Sequence, residues 1–492
     1  MPMSVVPHPA SVANRTQRNA DRHIGGPDMY EDLAYRFGFL CLDRAATTEI
    51  PAPVQGWALQ RVGAYDLYVH PEASVQTATT ANGDQAIMVG DAFVSHGTRA
   101  LEEALIELAG GDRRPLDDLS GRFALLLRSG GEVSVAHDPL GSQTVFYSRS
   151  GGSAASHAAL LARALHAPKS REVLRYMALP EYKARNTRFL PGDLTLYDDI
   201  ALLAPNNELH LRTAATRRYW PHSPTPEATP ETAFAVWDEY FSHYARFLTP
   251  RYKPVLGLTG GTDSRSVIAT LRSKGVEVRC ETWDSMPEAE KQRIGPLVDH
   301  LGVTHKWLDF KHREDTDRFR GLRNAAKEAG GFTRGTPIVP ALMDADAGPR
   351  DIFLLGHGSG VMRGSYSRLF KQWLPEDPLK RHYALYAGAN RKNASKVYEK
   401  FTLAALKEFL TTANYGAELH HADIGDLFYW EQRMANWAAL QISTIAVTMQ
   451  AHAALNSRRL FSAFWGIPGE ARSAKHLNMD IMRHYDPVLA EL

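Results

Sequence analysis

Residues 254–269, PVLGLTGGTDSRSVIA, are the most informative segment of this chain. An apolar run meets a Gly-Gly turn, and Thr, Asp and Ser then open a new segment, so the stretch predicts a strand, a loop and a helix in succession. Gly260 and Gly261 let backbone N–H groups approach an anion closely, and a helix that begins near Asp263 adds positive potential at its N-terminus. We therefore predict that this loop binds phosphate.

Hydroxyl and carboxylate side chains in the same loop fit a phosphate ligand. Thr259 and Ser264 can donate hydroxyl hydrogen bonds to phosphate oxygens, and Asp263 can hold a magnesium ion that bridges a pyrophosphate. The alternative is structural, because Asp and Ser are also favoured at helix N-termini without any ligand. A Walker loop is excluded, since the stretch lacks the Gly-Lys-Ser or Gly-Lys-Thr that such a loop requires.

Three segments of the chain resemble the asparagine-synthetase-like family. LTGGTDSR, residues 258–265, is similar to the SGGxDS pyrophosphate loop of the PP-loop synthetases, with Thr259 where serine is usual. Residues 276–305 resemble the second strand and following helix of asparagine synthetases, and residues 455–489 resemble the family's closing segment. The resemblance implies an enzyme that uses ATP and Mg²⁺, forms an acyl adenylate, and releases AMP and pyrophosphate.

The residues that this resemblance assigns to ATP and pyrophosphate extend from the loop to two later segments. The backbone of residues 280–283 would hold the adenine, and Trp283 is either a stacking residue or a plain core aromatic. Asp263 is the implied metal ligand. The implied ATP- and pyrophosphate-binding residues are Leu258, Thr259, Gly260, Gly261, Thr262, Asp263, Ser264, Thr282 and Gly356.

A lysine near the C-terminus is the first catalytic residue that the resemblance implies. Lys475 follows an aliphatic-proline turn, Ile467-Pro468, as in the family's closing pattern. A lysine in that place would offset charge that develops only during the reaction. The local match is short, and an ordinary surface lysine is the alternative.

A departure from the family pattern concerns the glycine-rich segment DIFLLGHGSGVMRGSY. The family usually carries an acidic residue there for a second magnesium ion or for the substrate, but Gly360 and Val361 fill those places. Either the metal is held differently, through Asp284 or Asp351, or catalytic capacity is reduced. Arg363, the second implied catalytic residue, is expected to bind phosphate or a substrate carboxylate, unless it pairs with an acid on a neighbouring helix.

Long amphipathic helices are predicted after residue 231, over residues 233–247 and 428–455 among others. In the second of these, Arg433 and Trp437 are four residues apart and share a face, whereas Glu431 points elsewhere. We predict core and ion-pair roles for these side chains, with a pocket wall as the alternative.

The first part of the chain predicts a strand-rich fold. Short apolar runs at residues 85–94, 123–128 and 132–137 indicate strands, and TRALEEALIELAG indicates one helix between them. Residues 117–148 are similar to the glutaminase half of asparagine synthetases, which uses a cysteine directly after the initiator methionine. Pro2 stands there, and Cys41 has no free amine, so we expect no glutamine hydrolysis and a scaffold role for this half.

The fold class that follows is α/β and α+β, with two domains after a lead. We predict a mobile lead over residues 1–27, a glutaminase-like domain over 28–225, and a PP-loop synthetase domain over 226–492. The first domain would be a four-layered sheet sandwich of the glutaminase (Ntn) type. The second would be a parallel sheet flanked by helices.

The composition of the chain bears on which partners it binds. Lys and Arg number 56 against 55 acidic residues, so no global field draws the chain to nucleic acid or to a membrane. Two cysteines, no apolar leader and no long apolar run favour a reducing, cytoplasmic location. The sequence leaves a homodimer open, and no HExxH or Cys-Cys-His spacing marks a zinc site.

The function predicted from these motifs is ATP-dependent amide-bond formation. Without an ammonia source, the nucleophile would be an amine on a small-molecule or peptide substrate, which is also the logic of the β-lactam synthetases and lasso-peptide cyclases of this broader family. The product would be a macrolactam, a β-lactam or an intermolecular amide. The alternatives are amidation by free ammonia, and a non-catalytic protein that binds a nucleotide or a partner.

Overall fold

The computed structural model describes residues 30–46, 49–311, 315–331, 339–366, 375, 377–473 and 476–492. The predicted lead, residues 1–27, lies outside them. Within these ranges seventeen strands form three sheets. None of the helices described there is both long and apolar enough to cross a lipid bilayer.

Two antiparallel six-stranded sheets form the first part of the fold. The first, called sheet A, has the order β10-β8-β9-β1-β3-β2, and the second, sheet B, has the order β12-β11-β7-β6-β5-β4. The strands are β1 Phe39–Asp43, β2 Ala58–Val62, β3 Tyr65–Val69, β4 Val75–Thr79, β5 Gln85–Val94, β6 Leu119–Ser129, β7 Glu132–His137, β8 Phe146–Ser148, β9 Ser153–Ala155, β10 Ile200–Leu202, β11 Asn207–His210 and β12 Thr216–Arg218.

The helices follow in chain order, and a π-helical segment, Tyr429–Ala438, lies between two of them. They are α1 Leu101–Ala109, α2 Ala158–Leu165, α3 Arg171–Ala178, α4 Pro230–Leu248, α5 Thr262–Ser273, α6 Glu288–Leu301, α7 Asp317–Ala329, α8 Pro378–Ala387, α9 Lys396–Thr412, α10 Ile424–Phe428, α11 Ala439–Ala446, α12 Arg458–Trp465 and α13 His476–Tyr485. Short helical turns occur at Glu31–Ala34, Ala52–Val54, Arg114–Asp117, Pro180–Lys183, Val339–Met343, Asp344–Asp346, Ser359–Met362, Gly388–Asn393, Gly469–Ser473 and Pro487–Glu491.

Alternating side chains stack these sheets into four layers. Along β1, Phe39 and Cys41 face Val89 and Leu126 of sheet B in a shared core. Leu40 and Leu42 point the other way, toward helices α2 and α7. The outer face of sheet B packs in the same manner against α1 and α4. The period of two along a strand therefore produces a helix, sheet, sheet, helix sandwich, which confirms the predicted four layers.

A five-stranded, all-parallel sheet forms the second part of the fold. Its order is β15-β14-β13-β16-β17, with β13 Lys253–Gly257, β14 Arg279–Trp283, β15 His305–Leu308, β16 Asp351–Leu355 and β17 Gln450–Ala453. Every residue of β16 and β17 is buried, so both faces of the sheet are covered. The predicted parallel sheet flanked by helices is confirmed.

The sequence located several elements closely and misjudged one. Strands 85–94 and 132–137 and the helix at 101–109 are confirmed. The predicted helix over residues 428–455 is wrong at its end, because the helical part stops at Ala446 and Gln450–Ala453 forms β17. This strand, QAHA, has little intrinsic strand preference, and its pairing with β16 determines its conformation.

Candidate active site

The predicted phosphate loop lies at the carboxyl end of the central strand β13. Chain order runs from β13 outward to β14 and β15, then returns to the other side of β13 as β16. Such a reversal opens a crevice beyond the strand ends, where ligands bind in open α/β sheets. The crevice is bordered by residues 258–261 after β13 and residues 356–358 after β16.

Hydrogen bonds within the loop fix its shape. The Ser264 hydroxyl lies 3.1 Å from the Thr259 hydroxyl and accepts a hydrogen bond from the Thr259 amide at 3.2 Å. The Gly261 amide donates to the Thr259 hydroxyl at 3.2 Å. The two hydroxyls that we expected on phosphate thus also close the loop on itself.

The first turn of α5 presents its backbone amides to this crevice. Gly261 is the residue before the helix, and no described side chain caps it. An uncapped helix start leaves N–H groups without intrahelical partners and carries partial positive charge. The strand, the Gly-Gly loop and the helix follow one another as the sequence predicted, so a helix N-terminus lies beside the loop.

Asp263, in that first turn, holds a network that joins three segments of the chain. Its Oδ1 accepts hydrogen bonds from the Ser359 hydroxyl and from Nδ2 of Asn478, both at 2.9 Å. Arg363 forms an ion pair with the same carboxylate at 3.1 Å. Asn478 is almost fully buried and lies on α13, so the C-terminal segment reaches the loop.

Glycines allow these segments to approach one another. A Cβ on Gly356 would lie 3.2 Å from the backbone of Asp263 and Ser264. A Cβ on Gly360 would lie 2.2 Å from the Tyr429 hydroxyl oxygen. The ring of Tyr429 thus fills the space that a side chain at position 360 would need, which gives Gly360 a steric reason.

Three arginines surround the loop. Arg363 contacts Asp263, and Arg265 donates to the Gly261 carbonyl at 3.3 Å. Arg293 of α6 packs over Gly260: a Cβ on Gly260 would lie 3.2 Å from Cδ of Arg293. Burial lowers the pKa of Arg265, and the charge of Arg293 lowers it further. Positive charge therefore exceeds what Asp263 alone neutralises, which favours an anionic ligand.

Two residues near the loop were missed in the sequence. Arg293 lies in the middle of an amphipathic helix, and Asn478 is a lone amide in the C-terminal helix, so neither has a motif. Only the packing of α6 and α13 against the loop brings them there.

Thr282 supports the loop from below through its side chain. Its hydroxyl donates to the Leu258 carbonyl at 2.9 Å and lies 2.8 Å from Nε2 of His305. The side chain is buried and already paired, so any contact with a nucleotide would come from its backbone. Trp283 ends β14 and packs partly buried on the core, its indole Nε1 lacking a hydrogen-bond partner among the described residues.

Metal ligands are sparse around the loop. The described part of the chain contains no cluster of three or more His, Cys, Asp or Glu side chains that would hold a metal. Asp351 is the first residue of β16 and pairs with Arg279 at 2.9 Å. It therefore lies at the amino ends of the parallel strands, whereas the loop lies at their carboxyl ends. Asp284 accepts the Phe310 amide at 2.9 Å. Asp263 lies within the first helical turn after the loop, with its side chain 38% exposed.

The remaining predicted residues have different outcomes. Lys475 lies outside the described residues. Glu431 forms a buried ion pair with Arg218 at 2.7 Å, as predicted for an ion-pair role. Arg433 lies among the rings of Tyr429 and Trp437, and no acidic side chain among the described residues forms an ion pair with it.

The first part of the chain offers no thiol nucleophile among its described residues. Cys41 is buried in β1 between the sheets, and burial raises the pKa of its thiol, so it remains protonated at neutral pH. The expectation that Cys41 has no catalytic role agrees with this position.

The geometry defines a class of protein: an antiparallel sandwich joined to a parallel α/β sheet, with a strand, Gly-Gly loop and helix at the switch point. No protein-family model matches the chain. The carboxyethyl-arginine beta-lactam-synthase of Streptomyces clavuligerus is 24% identical over 345 residues, covering 66% of this chain and 64% of that protein. The match therefore spans less than two thirds of the relative's length. It confirms the resemblance to the asparagine-synthetase-like family.

Solved structures give only distant matches. The glutamine phosphoribosylpyrophosphate amidotransferase from B. subtilis is 11% identical, covers 70% of this chain and 74% of its own, and has a TM-score of 0.21. An allosteric regulatory enzyme of purine biosynthesis is 12% identical, and the match covers 69% of this chain and 73% of that chain with a TM-score of 0.22.

Proposed function

We propose that this protein is an ATP-dependent amide-bond-forming enzyme that adenylates a carboxylate and transfers the acyl group to a substrate amine. A carboxylate oxygen attacks the α-phosphorus of ATP and pyrophosphate leaves. The amine then attacks the acyl carbon, loses a proton, and AMP leaves. The amine belongs to a small-molecule or peptide substrate, as expected from the sequence.

One observation carries this proposal. The loop of residues 258–261 and the uncapped start of α5 meet at the switch point of the parallel sheet, beneath an excess of arginine charge. Backbone amides and cations converging in a crevice favour a polyphosphate. The likeness to a β-lactam-synthase supports ATP as that polyphosphate.

The residues around the loop have distinct proposed roles. Amides of Gly260 and Thr262 would bind pyrophosphate oxygens, since these groups lie at the uncapped helix start, and the Gly261 amide would have to leave the Thr259 hydroxyl to join them. Arg293 would contact the same oxygens from the side, because it covers Gly260 and makes no hydrogen bond within the described residues. Arg363 would leave Asp263 and pair with phosphate, whose charge is greater.

Magnesium fits this site only as an ion that arrives with ATP. A protein-only site would need several carboxylates, whereas magnesium on a nucleotide needs one or two together with phosphate oxygens and water. Asp263 supplies one carboxylate at the mouth of the crevice, and its present partners are hydrogen-bond donors that a cation would replace. Such an ion would offset charge on the leaving pyrophosphate.

Pyrophosphate release tests the proposal. Wild type, Asp263→Asn and Asp299→Asn are incubated with ATP, Mg²⁺ and a panel of amino-acid and peptide carboxylates, with and without amines. Asp299 is an exposed aspartate on α6 and is the matched control. We expect carboxylate-dependent release in wild type and in the control, and a loss of at least about 100-fold in Asp263→Asn. Absence of release with every carboxylate would overturn the proposal, and release that needs only ammonium would replace the amine by ammonia.

A further inference from the structure

One part of the surface carries far more positive charge than the chain as a whole. It consists of residues 181–188 and residues 388–400, and we call it the basic surface. These two segments contain seven lysines and arginines but only two glutamates, whereas the whole chain of 492 residues has a net charge of +1. The excess of positive charge is therefore local, and it attracts anions to this surface without drawing them to the rest of the molecule.

Hydrogen bonds join the two segments into one surface. The Glu181 carboxylate accepts the Ser395 amide at 2.8 Å, and Nδ2 of Asn390 donates to the Glu181 carbonyl at 3.0 Å. Nη1 of Arg185 donates to the Tyr386 carbonyl at 2.5 Å, and its guanidinium carbon lies 3.9 Å from the centre of the Tyr386 ring. Glu181 and Arg185 are thus used within the fold, one acid and one cation of the surface.

The other cations of the basic surface have no acidic partner among the described residues. Nε of Arg188 is buried and makes no hydrogen bond there, although Nη2 donates to the Lys183 carbonyl at 2.5 Å. Four of the six side chains are exposed and two are half-buried. The six are Lys183, Arg188, Arg391, Lys392, Lys396 and Lys400. Their charges are left for a ligand to neutralise.

An aliphatic side chain lies among these cations. Val397, in the first turn of α9, is 66% exposed and lies between Lys396 and Lys400 in the sequence. One turn further on, Phe401 stacks on Tyr176 of α3 with the ring centres 4.4 Å apart, so Val397 lies on the side of α9 that faces α3. A valine buries an apolar side chain of a polypeptide, but it offers no ring on which a nucleic-acid base stacks.

We propose that the basic surface binds an acidic segment of a partner polypeptide, with carboxylates on the six unpaired cations and an aliphatic side chain on Val397. The excess charge determines the acidic character of the partner, and Val397 favours a polypeptide over a nucleic acid. The proposal goes beyond the proposed function and does not depend on it. Charge complementarity of this kind raises the rate of association and selects one partner over others.

Two labelled peptides test the charge of the partner on the full chain. One is a dodecapeptide of repeated Glu-Ala-Leu, the other has Gln in place of each Glu, and binding is followed by fluorescence anisotropy. We expect the acidic peptide to bind more tightly by about tenfold or more, and its affinity to fall by about tenfold from about 50 mM to about 500 mM NaCl, because salt screens exposed charges. Equal affinities of the two peptides, or no binding of the acidic one at low salt, would overturn the proposal.

Charge reversal identifies the binding surface. Lys392→Glu/Lys396→Glu replaces two attractive contacts by repulsive ones, so the affinity for the acidic peptide should fall by about tenfold or more. Lys253→Glu/Lys327→Glu makes the same change of net charge at two exposed lysines outside the surface and should keep the wild-type affinity. All four side chains are exposed, so the urea midpoints should match that of wild type. Equal losses of affinity in the two double variants would contradict the location.

Val397→Ser and a DNA probe distinguish a polypeptide from a nucleic acid. The variant should bind the acidic peptide about threefold or more weakly, because an apolar contact is lost. A single-stranded DNA dodecamer should bind wild type more weakly than the acidic peptide does. Tighter binding of the DNA, or an unchanged peptide affinity in Val397→Ser, would overturn the assignment to a polypeptide.

Pyrophosphate release separates this proposal from the proposed function. If the proposed function fails, no carboxylate produces release, and the anisotropy measurements still report peptide binding. If the proposed function holds, release with small carboxylates should be the same in wild type and in Lys392→Glu/Lys396→Glu. A loss of release in that variant would contradict a surface that serves docking alone.

Discussion

Gly360 illustrates how one residue sets the shape of the candidate site. The sequence comparison pointed to a missing acidic residue at this position, and the structure adds that Tyr429 fills the space. The aromatic ring of Tyr429 thus occupies the place where the resemblance predicts an acidic side chain. The glycine at position 360 therefore changes the local shape next to the loop of residues 258–264, whose own sequence still resembles the family pattern.

Substitution of Gly360 tests this packing. Gly360→Ala should lower the free energy of unfolding by about 1–3 kcal/mol, because its Cβ would overlap the ring of Tyr429, which is held among buried neighbours. Gly416→Ala is the control, since a Cβ there meets nothing within 4 Å, and its effect should stay within about 0.5 kcal/mol. Urea denaturation measures both. Equal stability of the two variants would show that Tyr429 moves aside freely.

The π-helical segment is the element that connects the two parts of the fold. On its buried side, Glu431 pairs with Arg218 of β12, and both side chains are almost inaccessible, at 0% and 3% exposure. Asn206 also donates to Glu431 at 2.9 Å. On its open side lies the row of Tyr429, Arg433 and Trp437. One segment therefore anchors in the antiparallel part and lines the crevice of the parallel part.

Breaking the buried pair should be costly. Glu431→Gln leaves the Arg218 charge buried without its counterion, so we expect a loss of about 3–5 kcal/mol in the free energy of unfolding. Glu132→Gln, in the exposed pair with Arg212, should cost less than about 1 kcal/mol. Chemical denaturation at neutral pH compares them. Similar small losses in both variants would mean that solvent reaches Arg218 in the folded protein.

At the scale of the whole molecule, the Asp-x-Leu-Gly motif at residues 138–141, which resembles a glutaminase, connects the antiparallel part of the fold to the parallel part. Asp138 accepts hydrogen bonds from the Ser142 amide at 2.9 Å and from Nδ2 of Asn456 at 2.7 Å. The Leu140 amide donates to Oδ1 of Asn456 at 2.8 Å. Asn456 lies three residues after the end of β17, so the Asp-x-Leu-Gly turn connects the antiparallel part to the parallel part.

Buried histidines predict the pH dependence of stability. Burial lowers the pKa of His96 and His382 to about 4 and that of His157 to about 3, from 6.5. Above pH 6.5 these histidines are neutral in both the folded and the unfolded chain, so they do not reduce the free energy of unfolding. As pH falls below 6.5 the unfolded chain binds protons that the folded chain does not, so stability falls, by about 2 kcal/mol per histidine at pH 5.

Unfolding as a function of pH measures this effect. Urea midpoints at pH 7.5, 6 and 5 should decrease steadily. His382→Leu should show a shallower decrease by one histidine's share, even if its stability at pH 7.5 is lower. A flat profile between pH 7.5 and 5 would contradict neutral burial of these side chains.

The sequence by itself determined the features that depend on local pattern. Short apolar runs along β5 and β7, and an apolar run followed by Gly-Gly and a helix at residues 254–269, predict their structures because each pattern is visible within a few neighbouring residues. The prediction that residues 258–264 bind phosphate rests on the same local pattern. Arg363 was singled out, and its pairing with Asp263 matches the ion-pair alternative.

Tertiary structure decided everything that depends on contacts between distant segments. Residues 450–453 continue an apolar helical pattern, yet pairing with β16 makes them a strand, because a buried sheet edge gains more from a paired backbone than the helix gains from one more turn. Asn478, Arg293 and the aromatic surroundings of Arg433 came from packing of helices. Their sequence neighbours carry no motif, since the chemistry arises only where separate helices converge on one loop.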